Sequence, residues 1–303
     1  MKVMFNRRPI SGPWGGGNSF LVNMAKYLKD MGHEVVFDFD YGIDIIFMID
    51  PRPNQNGYSV NDIYRYKSNF PNVKIIHRIN ECDQRKNTNT MDSLLLQSNQ
   101  LADKTVFISE WLAEYFIKKG FNKEYSVIYN GCDRGIFYPS EKKTYNGPLK
   151  LVTHHWSDNW LKGFDIYTQI DKYLQNNDDF EFTYVGRYNK DYTPKKTKLV
   201  EPLHGKELGE ELRKHDVYVT ASRWEPCGMH HIEGAASGLP ILFHKEGGGI
   251  NEFCKNHGYE YDSFDMFLKK LEQVEKNLVQ LRDNINYESL DILHCCEKFY
   301  EAI

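Results

Sequence analysis

Glu225 and Glu233 stand eight positions apart in the stretch "RWEPCGMHHIEGAASGLPI", which runs from Arg223 to Ile241. Between them lie Pro226, Gly228 and the adjacent His230 and His231. Two carboxylates in such a stretch suit either a hydrolytic acid pair or paired acceptors for the hydroxyls of a sugar. Eight residues along a helix rise about 12 Å, whereas the two carboxyls of a glycosidase stand about 5 to 9.5 Å apart. The spacing therefore disfavours hydrolysis. Pro226 cannot sit in a helix interior, so Glu225 is expected outside the helix or at its very start. Gly228 leaves bare backbone amides to face a ligand. The Ala/Gly-rich helix that follows has a face able to pack closely on a sheet.

Other loops that follow β-rich runs carry groups of the same kind. In "THHWSDNWLKGFDIY", Lys162 and Gly163 precede a helical pattern. A Lys there adds a point charge to the positive end of the helix dipole, which suits a diphosphate. His154 and His155 are adjacent on a strand and point to opposite faces, so they are a poor pair for one metal ion. "GPWGGGNS", Gly12 to Ser19, offers backbone amides at a helix start. It is neither a G-x-G-x-x-G fingerprint nor a P-loop, and a well-capped turn is an equal reading of it. "HRINECDQRK" puts His77 near a strand end, either facing a ligand or serving the core. Gly247, Gly248 and Gly249 form a further amide nest ahead of a short helix.

These loops need a scaffold. "KVMFN", "EVVFDF", "DIIFMID", "KIIHRI", "KTVFIS" and "YSVIYN" read as strands, with helices at "SFLVNMAKYLKDMG", "MDSLLLQSNQLA" and "EWLAEYFIKKG". After the Gly/Pro-containing "GCDRGIFYPSEKKTYNGP" the alternation restarts with "KLVTHH", "EFTYVGR", "TKLVEPL", "DVYVTAS" and "PILFH". The pattern predicts an α/β protein of two Rossmann-like, doubly wound parallel-sheet domains. The expected division is residues 1–130, a linker over 131–148, a second domain over 149–285, and a helix over 286–303 able to cross back to the first domain. A length of 303 residues accommodates two such domains. Ligands are expected beyond the carboxyl ends of the strands.

A net charge of −4 gives no reason to expect a nucleic-acid partner. The six cysteines show no C-x-x-C spacing and read as free thiols of a reducing compartment. The start "MKVMFNRRPISG" lacks the long apolar stretch of a signal peptide. No apolar run approaches the roughly 20 residues of a membrane span. A cytoplasmic location is expected, with peripheral membrane contact left open.

The E-x7-E pair with its "EGAASGLPIL" tail, the segment "VIYNGCDRGIFYP", "KGFDIY" and the N-terminal "GGGN" and "GHEVV" together resemble the retaining GT-B glycosyltransferases of family 4. The resemblance covers most of the chain. It implies transfer of a sugar, with retained anomeric configuration, from a UDP- or GDP-sugar to a hydroxyl on a glycan, lipid or protein. No prosthetic group and no bound metal are implied, and the oligomeric state is left unspecified. By this resemblance Glu225, with the amides of Gly228 and Met229, holds sugar hydroxyls. Glu233 takes the ribose hydroxyls, and Lys162 meets the leaving diphosphate. Gly15, Gly16 and Gly17 approach the sugar or phosphates, Gly186 and Arg187 join the donor site, and His77 is the histidine beside the reacting carbon. The family usually places an Arg a few residues before its Lys. Here that segment reads "HHWSDNW", so His154, His155, Ser157 or a distant Arg such as Arg187 or Arg223 are the candidates to replace it. Two further readings are kept: a non-hydrolysing nucleotide-sugar epimerase, and a non-catalytic module that binds a sugar nucleotide or glycan.

Overall fold

The computed structural model describes residues 1–12, 15–141 and 147–303. Pro13 and Trp14 of the first glycine loop, and residues 142–146 of the expected linker, lie outside the described residues. The chain forms two compact units, Met1–Asn130 with Ile292–Ile303, and Gly131–Asp291. Among the described residues, no helix is long and apolar enough to cross a membrane.

The first unit holds strands β1 (Lys2–Phe5), β2 (Glu34–Val36), β3 (Ile45–Met48), β4 (Lys74–Ile79), β5 (Lys104–Phe107) and β6 (Ser126–Val127). Its helices are α1 (Gly16–Asp30), α2 (Val60–Asn69), α3 (Asp83–Lys86), α4 (Met91–Asn99) and α5 (Glu110–Lys118). The strands pair in parallel in the order β2-β1-β3-β4-β5-β6. Every residue of β3 is buried, as a parallel strand covered on both faces requires.

The second unit holds β7 (Leu149–His155), β8 (Phe180–Gly186), β9 (Lys198–Val200), β10 (Val217–Thr220), β11 (Ile241–His244) and β12 (Gly258–Tyr261). They pair in parallel as β12-β11-β10-β7-β8-β9. Helices α6 (Phe164–Leu174), α7 (Gly205–Leu212), α8 (Met229–Ala236), α9 (Gly249–Cys254) and α10 (Phe264–Asp283) connect them. The strand order reverses between β7 and β10, so the loops after these two strands flank the switch point. Close packing brings α8 onto β10. A Cβ on Gly234 would come within 2.5 Å of the Tyr218 ring, so the helix lies where a larger residue would hold it off.

The final segment departs from the single helix expected over 286–303. A 3-10 turn at Glu288–Leu290 is followed by an extended Asp291 (ψ 134°), and only then by α11 (Ile292–Glu301). The break has a backbone cause: Cys132 donates its N–H to the carbonyl of Leu290 at 2.8 Å and bridges Asp291 in parallel. A residue held in such a bridge cannot be helical. Beyond it, α11 packs on α1 within the first unit. The Phe299 ring meets Phe20 at 4.6 Å and Phe47 at 6.2 Å. Ile292, Cys295, Cys296 and Phe299 share one buried cluster with Phe5, Met24 and Leu28.

Candidate functional site

The loop after β10 carries Glu225. Its backbone is fixed on both sides, Glu225 N–H donating to Gly247 O at 3.0 Å and Gly249 N–H donating to Glu225 O at 2.9 Å. The preceding Trp224 adopts φ +52°, a left-handed conformation that a bulky side chain rarely takes and that marks a segment held in place by its surroundings. Helix α8 then starts at Met229 with Gly228 as N-cap and no capping side chain. Its first-turn N–H groups are donors that a helix leaves without intrahelical partners. Glu225 thus stands outside the helix, and Glu233 inside it.

Lys162 ends the 3-10 turn Trp160–Lys162, where the side chain of Asn159 accepts the N–H of Leu161 at 2.9 Å. Gly163 follows at φ +101°, and a Cβ there would lie 2.2 Å from the Cβ of Ala221. Glycine is needed at this position on both counts, and it draws the Lys162 turn against the end of β10. The result is an ion pair: Lys162 Nζ lies 2.5 Å from Glu225 Oε2, with only 9% and 8% of the two side chains exposed.

Glu233 accepts from the His154 Nε2 at 2.7 Å, and its side chain is 17% exposed. His154 lies on the face of β7 toward α8. His155 lies on the other face, with Nε2 2.8 Å from the Tyr167 hydroxyl and 3.2 Å from Thr153 Oγ1. That buries His155 beneath α6, with its Nε2 engaged there. Ser157 accepts the N–H of Asn159 at 3.2 Å and shapes its own turn. Arg223 forks onto Asp165 at 2.9 and 2.6 Å and reaches Glu246 at 3.2 Å. Hydrogen bonding to Asp165 raises the Arg223 pKa. Gly186 is the last residue of β8, and the exposed Arg187 stacks over Trp156 at 4.2 Å.

Residues that seemed unrelated in sequence are neighbours here. His230 and His231 stand on the first turn of α8, and the His230 ring lies 4.7 Å from that of His155. Its Nε2 lies 3.0 Å from Thr220 Oγ1. Burial lowers both histidines, His230 well below its usual value and His231 to about 3, with the charge of Lys162 acting in the same direction. They are neutral at neutral pH. Among the described residues, no group of three or more His, Cys, Asp or Glu is placed to hold a metal ion.

In the first unit Gly15 is the N-cap of α1, and Gly16 and Gly17 open its first turn. Asn18 secures the loop, its side chain accepting from Ile10 N and donating to Ile10 O, both at 2.9 Å. Gly17 lies against Asn80, whose Nδ2 would be 3.3 Å from a Cβ at that position. His77 lies two residues before the end of β4. It is the fourth residue of β4 and 0% exposed. Nδ1 lies 3.1 Å from Asn99 Nδ2, and Nε2 has no hydrogen-bond partner among the described residues. Burial pushes its pKa down to about 3. The residues that leave the strand are Asn80 and Glu81. Glu81 pairs with Arg52 at 2.9 Å, and Arg52 with Asp50 at 2.8 Å. Burial acts to raise Asp50, but hydrogen bonds from Arg52 outweigh it and lower its pKa. This network draws on two separate loops, after β3 and β4, and no local motif announces it.

Residues 190–290 match the family model "Glycosyl transferases group 1". The matched segment holds Glu225 and Glu233 but not Lys162 or His154. No curated protein sequence matches the chain. Solved structures resemble it along nearly its whole length. Sucrose-phosphate synthase from Thermosynechococcus elongatus is 12% identical, with 99% of this chain and 98% of that one covered and a TM-score of 0.75. HepE from Anabaena, solved in complex with UDP-glucose, is 16% identical, with 100% and 99% covered and a TM-score of 0.74. WaaG, a glycosyltransferase involved in lipopolysaccharide biosynthesis, is 13% identical, with 100% and 99% covered and a TM-score of 0.70. These likenesses, with the two six-stranded parallel sheets, establish an α/β fold of the GT-B type.

Proposed function

We propose that this protein transfers a sugar, with retention of anomeric configuration, from a nucleotide-diphosphate sugar to an acceptor hydroxyl on a glycan, lipid or protein. The observation that carries the reading is the Lys162–Glu225 pair. A ligand that engages both groups must present an anion and a hydroxyl on neighbouring atoms. A sugar joined through its anomeric oxygen to a diphosphate is such a ligand. Lys162 then meets the negative charge that builds on the leaving oxygen, where preorganised charge is most effective because water is excluded. Glu225 and the bare amides of Gly228 and Met229 take sugar hydroxyls, and Glu233 takes the ribose. Gly15, Gly16 and Gly17 are assigned to the sugar-phosphate end of the donor. His77 is assigned to the support of β4, with Asn80 the group that this strand delivers. The match of residues 190–290 and the UDP-glucose complex of HepE support the donor class.

A second reading has its own observation. Arg223 and His155, candidates for the phosphate-binding Arg, are engaged by Asp165 and Tyr167. A module that binds a sugar nucleotide without turning it over fits that engagement. Thermal melting with UDP, GDP and ADP, repeated on Lys162→Ala, addresses both. A ligand at 100 times its dissociation constant adds about 2.7 kcal/mol to what it binds. Selective stabilisation by one nucleotide, lost in the variant, is expected. Incubation with the matching nucleotide sugar and NMR of the product anomer then separate transfer from binding alone. Binding without donor consumption in the presence of varied acceptors would establish the module, and an inverted product would overturn retention.

A further inference from the structure

His154 is not among the residues that the donor reading uses, yet its ring joins two of the elements that build that site. Nε2 lies 2.7 Å from Glu233 Oε2, and Nδ1 lies 3.1 Å from the hydroxyl of Tyr218. The same hydroxyl accepts the backbone N–H of His154 at 3.1 Å. A carboxylate at that distance requires the proton on Nε2. In the neutral ring Nδ1 is then an acceptor, and the Tyr218 hydroxyl, which also lies 3.2 Å from the carbonyl of His154, is placed to donate to it. Burial raises the Tyr218 pKa well above its usual value, so the phenol keeps its proton. Tyr218 is itself immobilised, with Gly234 of α8 packed on its ring. A line of hydrogen bonds therefore runs from the sheet to one oxygen of a carboxylate that remains part exposed.

We propose that His154 is a positioning residue that fixes the Glu233 carboxylate in the orientation that receives the ribose hydroxyls of the donor, and so sets the preference for ribose over deoxyribose. The inference rests on the reading of Glu233 given above. The bond from His154 is charge-assisted. An acceptor held in one rotamer before binding loses less freedom when the ligand arrives.

The test uses the full chain and isothermal titration with UDP, GDP and ADP. The nucleotide that binds most tightly is compared with its 2′,3′-dideoxy form on wild type, His154→Leu, His154→Gln and Glu233→Ala. His154→Leu is expected to weaken the ribonucleotide about tenfold and to leave the dideoxy form within about twofold. His154→Gln, whose amide can donate toward the same oxygen, is expected to recover most of the loss. Equal losses for both nucleotide forms, or no loss for either, would overturn the inference. If Glu233→Ala erases the ribose preference and His154→Leu does not, only the positioning role falls. If Glu233→Ala leaves the preference intact, or none of the three nucleotides binds, the reading of Glu233 falls as well. Should His154→Leu not fold, Tyr218→Phe replaces it. A smaller loss confined to the ribonucleotide is then expected, and its absence is equally decisive.

Discussion

The two sheets of this chain reverse their strand order beside their own first strands, β1 next to β3 and β7 next to β10. Both therefore possess the position where open α/β sheets take ligands. What stands there differs. The second unit sets a cation and a carboxylate in buried contact, one from each of the two flanking loops, beside an uncapped helix start. The first unit sets glycines after β1 and a part-exposed network of Asp50, Arg52 and Glu81 after β3 and β4. A buried ion pair is strained by removal of either partner, so its two residues are tied to one task. Part-exposed pairs contribute little to stability, so that edge tolerates substitution.

The sharpest way to break this comparison is to remove one charge of the pair. Glu225→Leu removes the carboxylate paired with the buried Lys162 ammonium and is expected to destabilise the second unit by about 3–5 kcal/mol, measured by urea unfolding. Adding Lys162→Met should restore most of that loss. If the single variant is as stable as wild type, the pair is not desolvated as described. Next in size is a kinetic effect. Under the proposed function Lys162→Met lowers kcat by about 10²–10³, read from the initial rate of sugar transfer at saturating donor. Unchanged kcat would take the leaving-group role away from Lys162.

A third experiment concerns the histidine buried in the first unit. His77 has its pKa lowered from 6.5 to about 3 by burial. Its neutral form stabilises the fold fully above pH 6.5, and that contribution is lost as pH falls toward 3. The unfolded state takes up the proton first, at about 1.4 kcal/mol per pH unit. Stability of wild type measured from pH 7 to 4 should thus fall more steeply than that of His77→Gln. Parallel profiles would show that His77 is not held neutral. The smallest effect is expected from Arg52→Ala. It should cost less than about 1 kcal/mol, so a large drop in melting temperature would argue against a weakly held edge.

Much of this arrangement is legible in the residues. Glu225 after an apolar run and before a Pro, and Lys162-Gly163 before a helical pattern, lead directly to the loops that flank β7 and β10. The strand and helix alternation is equally plain where runs are apolar, as in β3 and β4. Helix α2 is harder to see because only Val60, Ile63 and Tyr66 mark its inner face in a polar segment. Its Ser59–Asp62 capping box is the local signal that could have revealed it. Periodicity says that His154 and His155 face opposite ways, but not which way. Only the packing of α8 and α6 decides that His154 meets Glu233 while His155 meets Tyr167. His77 is hidden for the same reason, since the sequence places it in β4 but does not show which elements cover it. The break at Asp291 depends on Cys132, which no local window contains.

The return of α11 to the first unit also fixes an order of events during synthesis. Phe299 fills the gap among Phe20, Phe47 and Met24, and those partners leave the ribosome far ahead of it. The nascent first unit therefore waits with an unfilled apolar seam while the whole second unit is translated. Its maturation is governed by a helix that emerges only after the second unit, and that interval is when the chain has most to gain from a chaperone.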